Sequence, residues 1–267
     1  MLSLERDRYS HMEMLPGITW IYDGINDSIY VDEAEEEAFV IDTGMREESL
    51  TAYIREHITE KPLTCVLTHG HGDHSMNVRE FDRFYMSEKD DHLIPERAHA
   101  DLSRRINIGD RDIVMIPGLD LVTVDSTGHT PGSLSFIDRK HKAVFTGDAF
   151  SSGANVWMQL KGCSNLEDYR RTILKAIDTM REFGVEEDWT FLGGHYEQKY
   201  MFNDSRYQPN EPGLLLMEQM AELCRRLLSG EMQGELQAGM DRFGDKVYMA
   251  TYEKAQMLYT LKQLGQM

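Results

Sequence analysis

The sequence predicts an α/β chain of two β-sheets packed face to face with helices outside, and three observations predict it. Short β-like runs, a helix with one apolar face, more such runs and a second such helix recur in two comparable halves. No apolar run approaches the roughly 18 residues that a membrane span needs. The length of 267 residues suits an α/β fold built around one core. Residues 1–267 are therefore expected to form a single domain, with 212–267 as a helical and strand extension packed on it.

Residues 18–42 hold the β-like runs ITWIYDG, DSIYVDE and EAFVIDTG, punctuated by Gly24, Asn26 and an acidic turn, which predicts an antiparallel meander. Over 47–58, Leu50, Tyr53, Ile54 and Ile58 fall on one stripe of a helix. Residues 63–67 are apolar and bounded by Pro62 and a Gly/His run, as in a buried strand entering a loop. A short helix is expected near 76–81, a strand at 84–86 and helical stretches to about Arg105. In the second half, 119–124, 133–138 and 143–146 predict strands. Residues 166–183 predict a helix with Tyr169, Ile173, Ile177 and Met180 on one face. A strand at 190–192 then runs into Gly193-Gly194-His195. The tail offers a helix at 214–228 and a final apolar pattern over 252–264, with no Pro-, Ser- or Gly-rich linker to detach it. Met217, Met220 and Leu223 give that helix a core-packing face, which also suits closure over a pocket or a homodimer contact.

Against 28 Lys+Arg stand 46 Asp+Glu, a net charge of −18 that repels phosphate backbones and anionic lipid headgroups. A small-molecule substrate is expected, and neither nucleic acid nor membrane. Glu5, Arg6, Asp7 and Arg8 stand where a secretory signal needs apolar residues, so the start reads as cytoplasmic. Cys65, Cys163 and Cys224 are too few and too scattered for a disulfide framework.

Thr68-His69-Gly70-His71-Gly72-Asp73-His74 follows the strand at 63–67 directly. His69 and His71 are two apart, so on extended backbone their imidazoles point to one side, and the two glycines let the loop turn without clashes. Three histidines suit a borderline-soft divalent ion such as zinc, and an added carboxylate lets two ions share a site. A lone loop histidine is usually a solvated side chain; four potential ligands within six residues are not. His129 in Thr127-Gly128-His129-Thr130-Pro131-Gly132, Asp148 in Thr146-Gly147-Asp148 and His195 each lie beside glycine at the exit of an apolar strand. His11, His57, His92, His99 and His141 lie outside these motifs and read as surface or capping histidines.

These motifs resemble the metallo-β-lactamase superfamily over roughly residues 15–200: the HxHxDH signature, the later His, Asp and His, and the acidic strand end Ile41-Asp42-Thr43-Gly44. The resemblance implies a four-layer αββα sandwich of two mixed β-sheets flanked by helices. It implies that His69, His71 and His129 hold one metal, that Asp73, His74 and His195 hold the other, and that Asp148 bridges them. Asp42 would brace the metal loop. Two divalent ions, zinc with iron or manganese as alternatives, would make hydroxide from a bridging water, oriented by Asp73. The leaving group's proton would come from the attacking water, relayed through Asp73, or from a tyrosine, with Tyr196 and Tyr169 as the candidates.

Departures from the pattern narrow the branch. The superfamily's β-lactamases carry Cys or Ser where Asp148 stands. Its quorum-signal lactonases place a tyrosine where this chain has Ser151, and its glyoxalase II enzymes keep basic residues after the bridging Asp, where no positive charge appears here before Lys161. Phe150, Trp157, Met158 and Leu160, with Asn155 and Gln159, either wall a pocket beside the metals or pack that loop onto the sheet. The expectation is a dinuclear metal-dependent hydrolase of an ester, thioester or lactone, the alternative a persulfide dioxygenase with a single iron.

Overall fold

The computed structural model describes residues 8–150, 155–195, 213–241 and 244–265. Alternation along the strands sorts apolar side chains onto two faces of each sheet, and that sorting builds four layers. The first sheet runs in chain order: β1 (Ser10–Leu15), β2 (Ile18–Tyr22), β3 (Ser28–Glu33), β4 (Ala38–Ile41), β5 (Leu63–Val66), β6 (Phe84–Met86) and β7 (Arg105–Asn107). β1 to β4 form an antiparallel meander, and β4 to β7 pair in parallel. The second sheet has β8 (Ile113–Ile116), β9 (Leu119–Asp125), β10 (Leu134–Asp138), β11 (Ala143–Gly147) and β13 (Thr190–Gly193) in the order β13-β11-β10-β9-β8. There β11 and β13 are the parallel pair.

Trp20, Tyr30, Phe39 and Ile41 of the first sheet meet Leu121, Phe136 and Phe145 of the second in the inter-sheet core. Their chain neighbours Ile21, Ile29, Val31 and Val40 face outward onto Leu50 and Ile54 of α1 (Leu50–His57). On the far side, Val122, Val124, Ile137 and Val144 pack against Tyr169, Ile173, Ile177 and Met180 of α3 (Leu166–Glu182). A four-residue α2 (Gly72–Ser75) lies between them in sequence. Beyond α3, α4 (Gly213–Ser229) adds Leu214, Met217, Met220 and Leu223 to the same apolar layer. A third sheet, β12-β16-β15-β14, joins β12 (Val156–Trp157) to the C-terminal β14 (Glu235–Leu236), β15 (Tyr248–Tyr252) and β16 (Ala255–Tyr259). No described helix is long and apolar enough to cross a membrane.

The structure differs from the sequence reading in three places. The helical stretches expected up to Arg105 are short 3₁₀ turns at Glu88–Leu93, Glu96–Ala98 and Leu102–Arg104, because Pro95 interrupts the segment. The helix expected at 76–81 is α2 followed by a 3₁₀ turn at Val78–Glu80. There the Glu80 carboxylate leaves the helical direction to accept the N–H groups of Leu50 and Thr51, at 3.3 and 2.8 Å, and so caps α1. β1, β7, β8 and β12 go unanticipated, since edge and two-residue strands are defined by their partner more than by their own periodicity.

The parallel pairs decide where function sits. Ile41 pairs with Val66 and Gly147 with Gly193, so the loops after β4, β5, β11 and β13 all leave at one rim. Hydrogen bonds across the sandwich fix that rim: Leu134 N–H to the Thr68 carbonyl (2.8 Å), Ser28 N–H to the Gly194 carbonyl (2.9 Å) and the Tyr30 hydroxyl to the Gly193 carbonyl (2.6 Å).

Candidate metal centre

Three imidazoles converge first. His69 Nε2 lies 3.2 Å from His71 Nδ1, which lies 3.0 Å from His129 Nε2. On His129 the other ring nitrogen, Nδ1, donates to the Trp157 carbonyl at 3.0 Å, which leaves Nε2 as a lone pair facing the cluster. His69 Nδ1 is held 3.1 Å from the Thr68 hydroxyl. Burial depresses all three imidazoles, with His129 pushed down to about 4. Burial thus favours the neutral form, the one in which an imidazole can bind a metal.

The second group is anionic. Asp148 Oδ1 lies 3.5 Å from His74 Nε2, and Asp148 Oδ2 lies 3.1 Å from His195 Nε2. Asp73 Oδ2 stands 3.8 Å from both of those nitrogens. Asp148 Oδ2 also reaches to 3.6 Å from His129 Nε2, so this carboxylate borders both groups. Burial disfavours charge on His74, but Asp148, Asp73 and Asp42 outweigh it and push the imidazole up to about 10. The cluster demands positive charge, which a proton or a cation supplies.

Asp42 carries the bracing. It ends β4 in the left-handed region (φ 60°), and its carboxylate accepts from the Thr68 N–H (2.7 Å), the Thr68 hydroxyl (2.8 Å) and His74 Nδ1 (2.8 Å). Asp27 backs the remaining histidine, with Oδ1 3.3 Å from His195 Nδ1. Asp90, fully buried, binds the two metal loops together. Its Oδ2 accepts from Gly70 N–H (3.1 Å) and the Thr130 hydroxyl (2.6 Å), and its Oδ1 from Gly132 N–H (2.7 Å). Sequence reasoning missed Asp27 and Asp90; each sits in a polar turn with nothing to distinguish it from a solvated carboxylate. A Cβ on Gly194 would strike Asp148 Oδ1 and come within 2.7 Å of His74 Cε1. Gly194→Ala is therefore expected to weaken metal retention about tenfold or more, measured by competition with a chelator.

All seven residues singled out in the sequence, His69, His71, Asp73, His74, His129, Asp148 and His195, meet at this rim, while Tyr196 lies outside the described residues. Tyr169 does not reach the site. Its ring, on the inner face of α3, is fully buried and its hydroxyl donates to the Ala149 carbonyl at 2.6 Å, so burial holds its proton in place. Tyr169→Phe is expected to cost about 1–2 kcal/mol in denaturant stability and to leave turnover unchanged. Around the rim, Trp157 and Leu160 line a cavity of about 270 Å³ with Asn26, Asp73 and the histidines. Phe150 and Met158 instead pack in the apolar layer beneath α3.

Residues 21–195 match the family model described as the metallo-beta-lactamase superfamily. The chain belongs to the metallo-β-lactamase superfamily. It is 25% identical over 232 residues to the human acyl-coenzyme A thioesterase MBLAC2, covering 70% of this chain and 81% of that protein. To the hydroxyacylglutathione hydrolase GloC of Haemophilus influenzae it is 32% identical over 193 residues, 66% of this chain and 87% of that one. The solved metallo-β-lactamase from Pontibacter korlensis superposes with a TM-score of 0.61 at 16% identity, over 82% of this chain and 99% of that one. That likeness is one of fold, the αββα sandwich.

The protein is a metallo-β-lactamase-fold hydrolase, and this fold implies divalent metal ions. The residues present fit them. His74 Nε2 and Asp148 Oδ1 are buried with no hydrogen-bond partner, a costly state for polar atoms unless something else binds them. The ligand atoms of the three-histidine group lie within 4.8 Å of one another, as do those of the Asp73, His74, Asp148 and His195 group.

Proposed function

We propose that this protein hydrolyses acyl thioesters of small metabolites with two divalent ions, zinc in the native enzyme. His69, His71 and His129 would hold one ion, Asp73, His74 and His195 the other, and Asp148 both. Bound there, such ions supply an activated water and polarise the scissile carbonyl. The observation that carries the reading is the single carboxylate of Asp148 placed between two complete donor groups on the floor of an apolar-walled cavity.

The chain's own residues account for the remaining chemistry. Asp73, with its side chain about one-third exposed, accepts the proton of the attacking water. Asp148 stays ionised: burial opposes its charge, but His195 and His74 outweigh it and hold the carboxyl well below its usual range. Trp157 and Leu160 offer the acyl group an apolar wall, and Asn26 a polar contact.

Leaving-group chemistry favours sulfur. Among the described residues lining the cavity the proton donor for a departing group is Asp73, once it holds the water's proton, with no lysine or tyrosine beside it. A thiol, with a pKa of about 8.5, leaves as thiolate without such help, whereas an alkoxide or amine does not. Both named relatives point the same way, one a thioesterase and the other a hydrolase of hydroxyacylglutathione.

The test is a substrate panel on the zinc-loaded chain: acyl-coenzyme A and S-acylglutathione thioesters, an oxygen ester, a lactone and a β-lactam. Thioester kcat/KM is expected to exceed the others by about 100-fold or more, equivalent to roughly 2.7 kcal/mol of transition-state preference. Preferred turnover of the lactone or β-lactam would overturn the assignment. One iron in the chain purified without added metal, with oxygen consumption, would replace it with the dioxygenase.

A further inference from the structure

A third group of ligating side chains lies at the opposite rim of the sandwich. Asp32, near the end of β3, pairs with Phe39 near the start of β4, and Asp138, at the end of β10, pairs with Ala143 at the start of β11. β4 and β11 run from this rim to the metal centre, so a strand length, roughly 15 Å, separates the two. His141 stands in the β10–β11 turn against Gly17, whose left-handed backbone (φ 91°) leaves room for the ring. A Cβ there would come within 2.9 Å of His141 Nε2.

His141 Nδ1 lies 2.6 Å from Asp138 Oδ2 and 2.9 Å from Asp32 Oδ1. Asp138 Oδ1 is already occupied, accepting the N–H groups of Lys140 (2.8 Å) and His141 (3.2 Å). Both carboxylates are fully buried, and Asp32 Oδ2 finds no hydrogen-bond partner. Asp32 Oδ1, though 2.9 Å from His141 Nδ1, makes no well-aligned hydrogen bond either, so this buried carboxylate is left unsatisfied, a costly state unless something else binds it. Burial pushes the Asp32 carboxyl up to about 7, against the pull of His141, and the contact with Asp32 raises His141 in turn, so the group favours a bound positive charge, a proton or a cation.

Fully deprotonated, two carboxylates and one imidazole carry −2, which one divalent cation neutralises. Their ligand atoms lie within 4.8 Å of one another, a span that an ion at about 2.0–2.2 Å from each can close. The His141 side chain is 12% exposed, so water can complete the coordination. Mixed oxygen and imidazole donors suit zinc or manganese. We propose that Asp32, Asp138 and His141 bind one divalent transition-metal ion, apart from the catalytic centre, which ties the two sheets together at the rim opposite the active site.

The experiment counts ions. The full chain is stripped with a chelator, dialysed against Zn²⁺ and, separately, Mn²⁺, and analysed for bound metal per chain, as wild type, Asp32→Asn and His141→Gln. Asp32→Asn preserves shape, and His141→Gln alters the one member that reaches solvent, so one of the two reports even if the other misfolds. Each variant is expected to bind one ion fewer than wild type and to keep wild-type turnover. Its thermal midpoint should gain about 3 °C less on reloading, since about 1 kcal/mol moves a domain of this size by roughly that amount. Equal ion counts in wild type and both variants would overturn the site, leaving His141 as a hydrogen-bonded clamp between two carboxylates. Because the count needs no substrate, its outcome is separate from that of the thioesterase assignment.

Discussion

Asp148→Ala is expected to lower thioester turnover on the order of 10³-fold, the equivalent of about 4 kcal/mol in the barrier. It should also cut bound metal at the catalytic rim to one ion or fewer. The carboxylate faces His74 Nε2, His195 Nε2 and His129 Nε2 at 3.5, 3.1 and 3.6 Å. Removing it takes away the shared anion and leaves like-charged cations facing each other uncompensated. Steady-state kinetics with metal analysis reads both effects. Turnover within about tenfold of wild type, with full metal content, would show that Asp148 does not join the two groups.

Asp42→Asn is the second large effect, and the argument is one of donors and acceptors. Asp42 tolerates its left-handed backbone (φ 60°), and asparagine tolerates the same conformation, so the backbone survives the change. The hydrogen bonds do not. The carboxylate accepts from Thr68 twice and from His74 once, whereas an asparagine presents an NH₂ group to one set of those donors. His74 loses the acceptor that fixes its tautomer. Metal affinity at the second position is expected to fall about 10–100-fold, and stability by about 1–3 kcal/mol. Chelator competition and urea unfolding check the two values. A Tyr169→Phe control, whose hydroxyl binds only the Ala149 carbonyl, should lose stability but no metal.

The convergence of these donors at one rim was legible in the sequence because they are crowded into short motifs beside glycine: four potential ligands in the six residues from His69 to His74, and one each at His129, Asp148 and His195. Each motif follows a strand whose apolar run is itself readable, so chemistry and topology reinforced each other. Asp90 and Asp27 were invisible for the converse reason. Asp90 lies in an acidic run after Ser87 and Asp27 in a polar turn, and only the fold shows that one bridges Gly70 to Gly132 and the other backs His195. His141 was read as a surface histidine because its partners, Asp32 and Asp138, are far from one another along the chain. Tyr169 was read as a candidate acid because residue type reveals nothing of burial. The same holds for the fold: the central strands carried their own signal, while edge strands such as β8, exposed at Ile113 and Met115, take their definition from a neighbour.

The most direct test of the central claim is anomalous diffraction at the zinc edge from crystals of the metal-loaded chain. The account predicts two peaks at the catalytic rim, about 3.5–4 Å apart, one among His69, His71 and His129, the other among Asp73, His74 and His195, with Asp148 between them. A single peak, or density that leaves Asp148 uncoordinated, would contradict it.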